Sequence, residues 1–197
     1  KVHFLMTAYL DKVKMCVGWD DGDRMRITEL RGCLDSKAAD IVGALGKRLA
    51  QLKGVQPLMS NTRFARRWHS VLREWLMGLL DGPFDGKRTE ERWTLGEKLV
   101  DVDLTFEDII LLEGLARQQL FELAREQLGE NPDSLSAMMY TLDKVLNLDL
   151  ALIYSAYLQM RDTEMERALL DRFIAVTGFS RTLYENLAEA QGRKAVG

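Results

Sequence analysis

From Val2 to Val17 the apolar residues fall at Val2, Leu5, Met6, Tyr9, Leu10, Val13 and Val17. That three-and-four spacing predicts an amphipathic helix. Gly18-Trp19-Asp20-Asp21-Gly22-Asp23 interrupts it. The acidic cluster lacks the spaced ligands and closing glutamate of a calcium loop, and acids just before a helix are favoured by the positive helix end. Helical spacing resumes at Met25, Ile27, Leu30 and Leu34. Asp35 or Ser36 then reads as the cap of a helix through Ile41, Val42, Leu45, Leu49 and Leu52, closed by Gly54. Asn61 or Thr62 opens the next helix, with Phe64, Trp68, Val71, Leu72, Trp75, Leu76 and Leu79 on its apolar side, and Gly82-Pro83 ends it.

Thr89, with Glu91 and Arg92, is expected to open a shorter helix toward Leu99. Val100 to Leu104 alternates like a strand, but it is short and has no partner elsewhere, so it reads as a connector. Thr105 and Asp108 form a capping pair for a helix to about Leu128. Gly129-Glu130-Asn131-Pro132-Asp133 is a loop. A long helix is expected from about Ser134 to Gln159, and a last amphipathic segment from Glu164 to about Ala190, interrupted near Gly178. The fold class is therefore all-α.

The long helix carries more apolar surface than one buried stripe requires. One side can face the domain core and another a partner subunit, which makes a homodimer interface through Leu142, Val145, Ile153 and Tyr157 the expectation. The competing reading is that this helix is simply central in its own domain.

Composition narrows the function. The chain has 197 residues, enough for one sizeable domain. Its three prolines, Pro57, Pro83 and Pro132, permit long helices. A formal net charge of −3 argues against a nucleic-acid or anionic-membrane partner, each of which demands a basic face. Cys16 and Cys33 have no CxxC spacing and read as small buried hydrophobes in a reducing, cytoplasmic setting. No apolar run reaches the length of a membrane span and no signal-peptide pattern opens the chain. It begins at Lys1 rather than methionine, so a preceding segment is expected.

Chemistry is scarce. His3 and His69 are far apart, and neither has metal-ligand or triad spacing. No GxGxxG, Walker or HExxH pattern is present. Trp68 and Trp75 lie on one side of a helix and read as core. Arg63, Arg66 and Arg67 form a basic cluster, read as a solvated helix face. No catalytic residue and no metal site is expected, and the chain does not read as an enzyme.

Three stretches resemble the sensor globins, the family of protoglobins and globin-coupled sensor domains. Leu76-Met77-Gly78-Leu79-Leu80-Asp81-Gly82-Pro83-Phe84-Asp85 resembles that family's helix end and its Gly-x-(Phe/Tyr)-Asp corner. Leu146-Asn147-Leu148-Asp149-Leu150-Ala151-Leu152 is similar to its Leu-Asp-Leu-rich last globin helix. Between them, Arg92 to Leu104 matches an Arg-x-x-x-Gly-x-x-His segment in length and in Gly96. The likeness spans roughly Met15 to Tyr157.

The departures decide what the resemblance implies. The family's iron-binding histidine falls on Leu99, or on Lys98 if the register slips by one. Leucine has no lone pair, and lysine must first lose a proton. The family's distal Phe-Tyr pair falls on Leu45-Gly46. The resemblance thus implies a haem-free regulatory globin domain over 1–160 and a helical connector over 161–197, in a dimeric signalling protein whose output domain or partner lies downstream. No cofactor is expected. The alternatives are a haem gas or redox sensor ligated through His69, and a plain helical adaptor.

Overall fold

The structure is a computed structural model. It describes residues 2–52, 55–81, 85–100, 104–178 and 182, without the side chains of 2–7, 58, 86, 99 and 100. Among these residues all regular structure is helical: α1 (Val2–Val17), α2 (Asp21–Leu49), α3 (Gln56–Met59), α4 (Thr62–Leu79), α5 (Gly86–Val100), α6 (Phe106–Leu128) and α7 (Pro132–Thr177). No described helix is long and apolar enough to cross a membrane.

The chain divides into two compact units, residues 1–157 and 158–197. In the first, α2 packs on α4 and α6, α1 lies on α5, and α4 also meets α3 and α5. The stripes that align at helical spacing supply the core: Ile27, Leu30, Leu34 and Leu45 from α2, Trp68, Leu72, Trp75 and Leu76 from α4, and Leu142, Val145 and Leu152 from α7.

Local chemistry sets most boundaries. Gly18 turns the chain at φ +65°, a backbone that favours glycine. Asp20 then caps α2, its carboxylate accepting from the Asp23 N–H at 2.8 Å while Asp23 accepts from the Asp20 N–H at 3.0 Å. Asn61 caps α4, and Thr105 with Asp108 caps α6.

Four boundaries differ from the sequence reading. α2 is one uninterrupted helix, so neither Asp35 nor Ser36 is a cap. Asp35 pairs with Arg31 one turn back at 2.6 Å, and the Ser36 hydroxyl donates to the Cys33 carbonyl at 3.0 Å, which satisfies both inside a continuing helix. α5 begins before Thr89, because the Asp85 carboxylate accepts from the Arg88 N–H at 2.9 Å and its carbonyl from the Thr89 hydroxyl at 2.8 Å. Four-residue α3 was not foreseen. α7 runs without a break through the expected gap after Gln159 and stops at Gly178, φ +70°. Gly54, Gly82-Pro83, residues 101–103 and most of the segment beyond Gly178 lie outside the described residues.

The dimer assignment on α7 also needs correction. Leu142 and Val145 are 0% exposed, Ile153 1% and Tyr157 8% within a single protomer. Their side chains are packed into the protomer's own core, with only the edge of Tyr157 left at the surface. In the second unit, by contrast, Met165, Leu169, Phe173 and Val176 are all exposed.

Asp23 ties the start of α2 to α7. Its buried carboxylate accepts from Lys144 Nζ at 2.7 Å, the Thr141 hydroxyl at 2.6 Å and Arg26 Nη2 at 2.9 Å. Burial alone would push this carboxyl up, but Lys144, Thr141, Arg26 and the Asp20 N–H outweigh it and hold it at about 2, below the ordinary 3.8. The folded value is the lower one, so this stability is present above the unfolded pKa and is lost as pH falls through the folded one. Chemical denaturation from about pH 4 down to about pH 2 should show a loss of about 2 kcal/mol. That part of the loss should be missing from Asp23→Asn.

Candidate functional site

The interior of the first unit is not wholly apolar. Arg92 of α5 is 2% exposed and Asp149 of α7 0%. Arg92 Nε donates to Asp149 Oδ1. Arg92 Nη1 donates to the Trp75 carbonyl at 3.1 Å, and the Trp75 indole donates to Asp149 Oδ2 at 2.7 Å. Three helices thus close on one carboxylate, with both its oxygens engaged. Such a pair is stable only because each charge is answered; deleting one partner costs about 3–5 kcal/mol.

Two glycines make room for this arrangement. A Cβ on Gly78 would lie 2.6 Å from Arg92 Nη1 and 3.2 Å from Arg88 Nη2. A Cβ on Gly96 would lie 2.7 Å from the Ala156 Cβ and 3.3 Å from the Ile153 carbonyl oxygen. Only glycine at 96 lets α5 approach α7 this closely.

Around the pair sit polar groups with incomplete partners. Arg88, 8% exposed, reaches Glu91 at 3.4 Å through Nη1, while its Nε and Nη2 have no partner. Desolvation, then the neighbouring Arg92, lowers the Arg88 pKa from its ordinary value. Glu113 of α6 is 3% exposed and its Oε1 has no partner. Burial first and Asp149 second push the Glu113 carboxyl up to about 9, against the opposing pull of Arg117 and Arg92. It is therefore protonated at neutral pH. The cluster is built to hold helices together, with its one carboxylate saturated and shut off from solvent.

Residues singled out from the sequence are scattered around this core. Leu45 is buried hydrocarbon at 1% exposure. Gly46 is partly exposed, and a Cβ there would meet nothing within 4 Å. Lys98, near the end of α5, has its Nζ 3.3 Å from Glu74 of α4. Leu99 belongs to the last turn of α5, and its side chain lies outside the described residues. His69 stands on the exposed side of α4. The basic residues Arg63, Arg66 and Arg67 are also exposed there, whereas Trp68 and Trp75 are core. Cys16 is exposed and Cys33 partly so; neither is the buried hydrophobe expected.

A family model for Protoglobin matches residues 7–163. The chain belongs to the Protoglobin family. No curated protein sequence matches it. Among solved structures it is similar to the globin domain of the Geobacter sulfurreducens globin-coupled sensor, with a TM-score of 0.69 and 14% identity over 75% of this chain and 96% of that one. The all-α, globin-like fold expected from the sequence is thereby established.

Globins are expected to hold haem, and the residues here do not fit a haem iron bound by a histidine of α5. Leu99 offers no lone pair. Lys98 offers an ammonium already paired with Glu74.

Asp149, Glu113 and the pairing of Arg92 were missed as a cluster, although a signal existed. Asp149 sits inside the apolar run Leu146 to Leu152, and Glu113 lies on the same stripe of α6 as Ile109, Ala116 and Leu120. A carboxyl on an apolar face needs either a partner or a proton.

Glu113 has taken the proton. Its folded pKa is the higher one, so stability is fullest below about pH 4.5 and falls as pH rises toward about 9. Glu113→Gln keeps the shape and removes the titration. Urea unfolding should show that variant gaining on the wild type between about pH 5 and about pH 8; a constant difference would contradict a buried, protonated Glu113.

Proposed function

We propose that this chain is a haem-free sensor globin, a non-enzymatic regulatory and dimerisation module of a cytoplasmic signalling protein. The observation that supports the reading is the pairing of Lys98 with Glu74 beside Leu99, the positions onto which the sequence resemblance carries the family's iron-binding histidine. The globin-like core is retained, with Trp68, Leu72, Leu45 and Leu95 all buried. The fold has been kept and the ligand has not. The similar Geobacter sulfurreducens domain belongs to a globin-coupled sensor, which supports a role in which the globin domain passes a signal to a further domain. Residues 161–197 then act as the helical connector, and the exposed Met165, Leu169 and Phe173 suit them to pairing with another helix.

The dimer surface follows from the outer side of α7. Tyr140 and Tyr154 are 71% and 39% exposed, and exposed Asn147 lies seven residues from each. A heptad-spaced Tyr-Asn-Tyr line can meet its own copy, aromatic groups giving area and the amide fixing register.

Two measurements test the proposal. Protein expressed with ample haem supply should show no Soret band, and titrated haem should not bind saturably. A stoichiometric Soret band abolished by His69→Ala would overturn the haem-free reading in favour of a haem sensor. For the dimer, sedimentation should show wild-type dimers at micromolar concentration and monomers for Tyr140→Glu/Tyr154→Glu, with unchanged helical circular dichroism. Unaltered association in that variant would remove α7's outer line from the interface.

A further inference from the structure

The end of α2 and the first half of α6 form a groove that the polar core and the outer line of α7 leave unused. Its volume is about 700 Å³ and its apolar walls are Leu49, Leu52, Ile110, Leu111 and Leu115. Ile110 is 46% exposed and Leu111 50%, so large aliphatic surface stays uncovered. Gly114 lies in the lining, and a Cβ there would touch nothing within 4 Å. The helix thus carries its smallest residue in the groove wall, with open space where a side chain would stand.

The charge of the groove is one-sided. Arg48 is the only charged residue in the lining, and no carboxylate lines it. Arg48 donates through Nη1 to Gln118 Oε1 at 3.3 Å and has no ion pair among the described residues. A cation in the last turn of a helix is favoured by the helix dipole. That explains why Lys47 and Arg48 occur there, but not why one of them lines an apolar groove with only a neutral amide for company. Aliphatic walls ending at a single guanidinium match a molecule with a hydrocarbon tail and a monovalent planar anion. A carboxylate fits the fork of one arginine, and the neutral amides of Gln51 and Gln118 beside it add donors without a second charge. A phosphate dianion would call for another cation.

We propose that the α2–α6 groove binds a fatty carboxylate, its tail along Leu52, Ile110 and Leu111 over Gly114 and its head on Arg48. The groove is lined by none of the haem-equivalent positions, so the proposal holds whether or not the chain takes up haem. The size falls in the range of small-molecule sites.

Calorimetric titration of the full chain with dodecanoate, below its micelle concentration, tests this. Dodecyltrimethylammonium, with the same tail and the opposite head, is the control. Saturable one-to-one binding of dodecanoate is expected, with the cationic amphiphile at least about ten-fold weaker. Arg48→Gln should weaken dodecanoate about ten-fold and erase the preference for its head. Gly114→Leu should abolish binding of both by filling the groove. It also raises helix propensity, so a retained melting temperature separates loss of the site from loss of the fold.

Equal affinity for the two heads, or binding that survives both substitutions, would overturn the proposal. So would the absence of dodecanoate binding combined with a Gly114→Leu variant of altered sedimentation, which would make the groove a contact between copies of the chain.

Discussion

A carboxylate on the inward side of a long helix creates a demand that the rest of a domain must meet. Asp149 is such a group, with no exposed surface, and it is met by the Arg92 guanidinium and the Trp75 indole. Because those donors come from α5 and α4, the three helices have one mutual placement in which the charge is answered. Apolar packing among them would tolerate small slides. A buried pair with directional hydrogen bonds does not. The glycines at 78 and 96 follow from the same demand, one leaving room for the guanidinium and the other letting α5 and α7 come together.

Under the haem-free reading proposed above, the globin-like fold still has an organising centre. A domain organised by packing onto a prosthetic group loses much of its reason to stay compact when the ligand to that group disappears. Here an internal ion pair and two buried tryptophans supply an organising centre made of the chain itself.

Much of the fold was legible in the sequence because local chemistry decided it. Helical spacing, the Asn61 cap and the Thr105–Asp108 capping box identify their elements without help from the rest of the chain. The errors came where a residue had two uses. Asp35 and Ser36 look like caps, but Arg31 and the Cys33 carbonyl satisfy them inside a helix. The width of the apolar face on α7 is visible in sequence, yet whether core or partner covers it depends on which helices surround it. Leu142, Val145, Ile153 and Tyr157 proved to be core for that reason. The polar cluster was the least legible part. Arg92 and Asp149 are 57 residues apart, and no local pattern says that they meet.

Asp23 serves two structures at once. It completes the capping box that starts α2, and it receives Lys144 from 121 residues further along. Closing so large a loop is entropically expensive and gains its return only when most of the chain is already in place. The contact is therefore expected to form on the late side of the folding barrier. Interactions formed that late act mainly as a brake on unfolding. The lifetime of the native state, more than the speed of reaching it, then rests partly on this one aspartate.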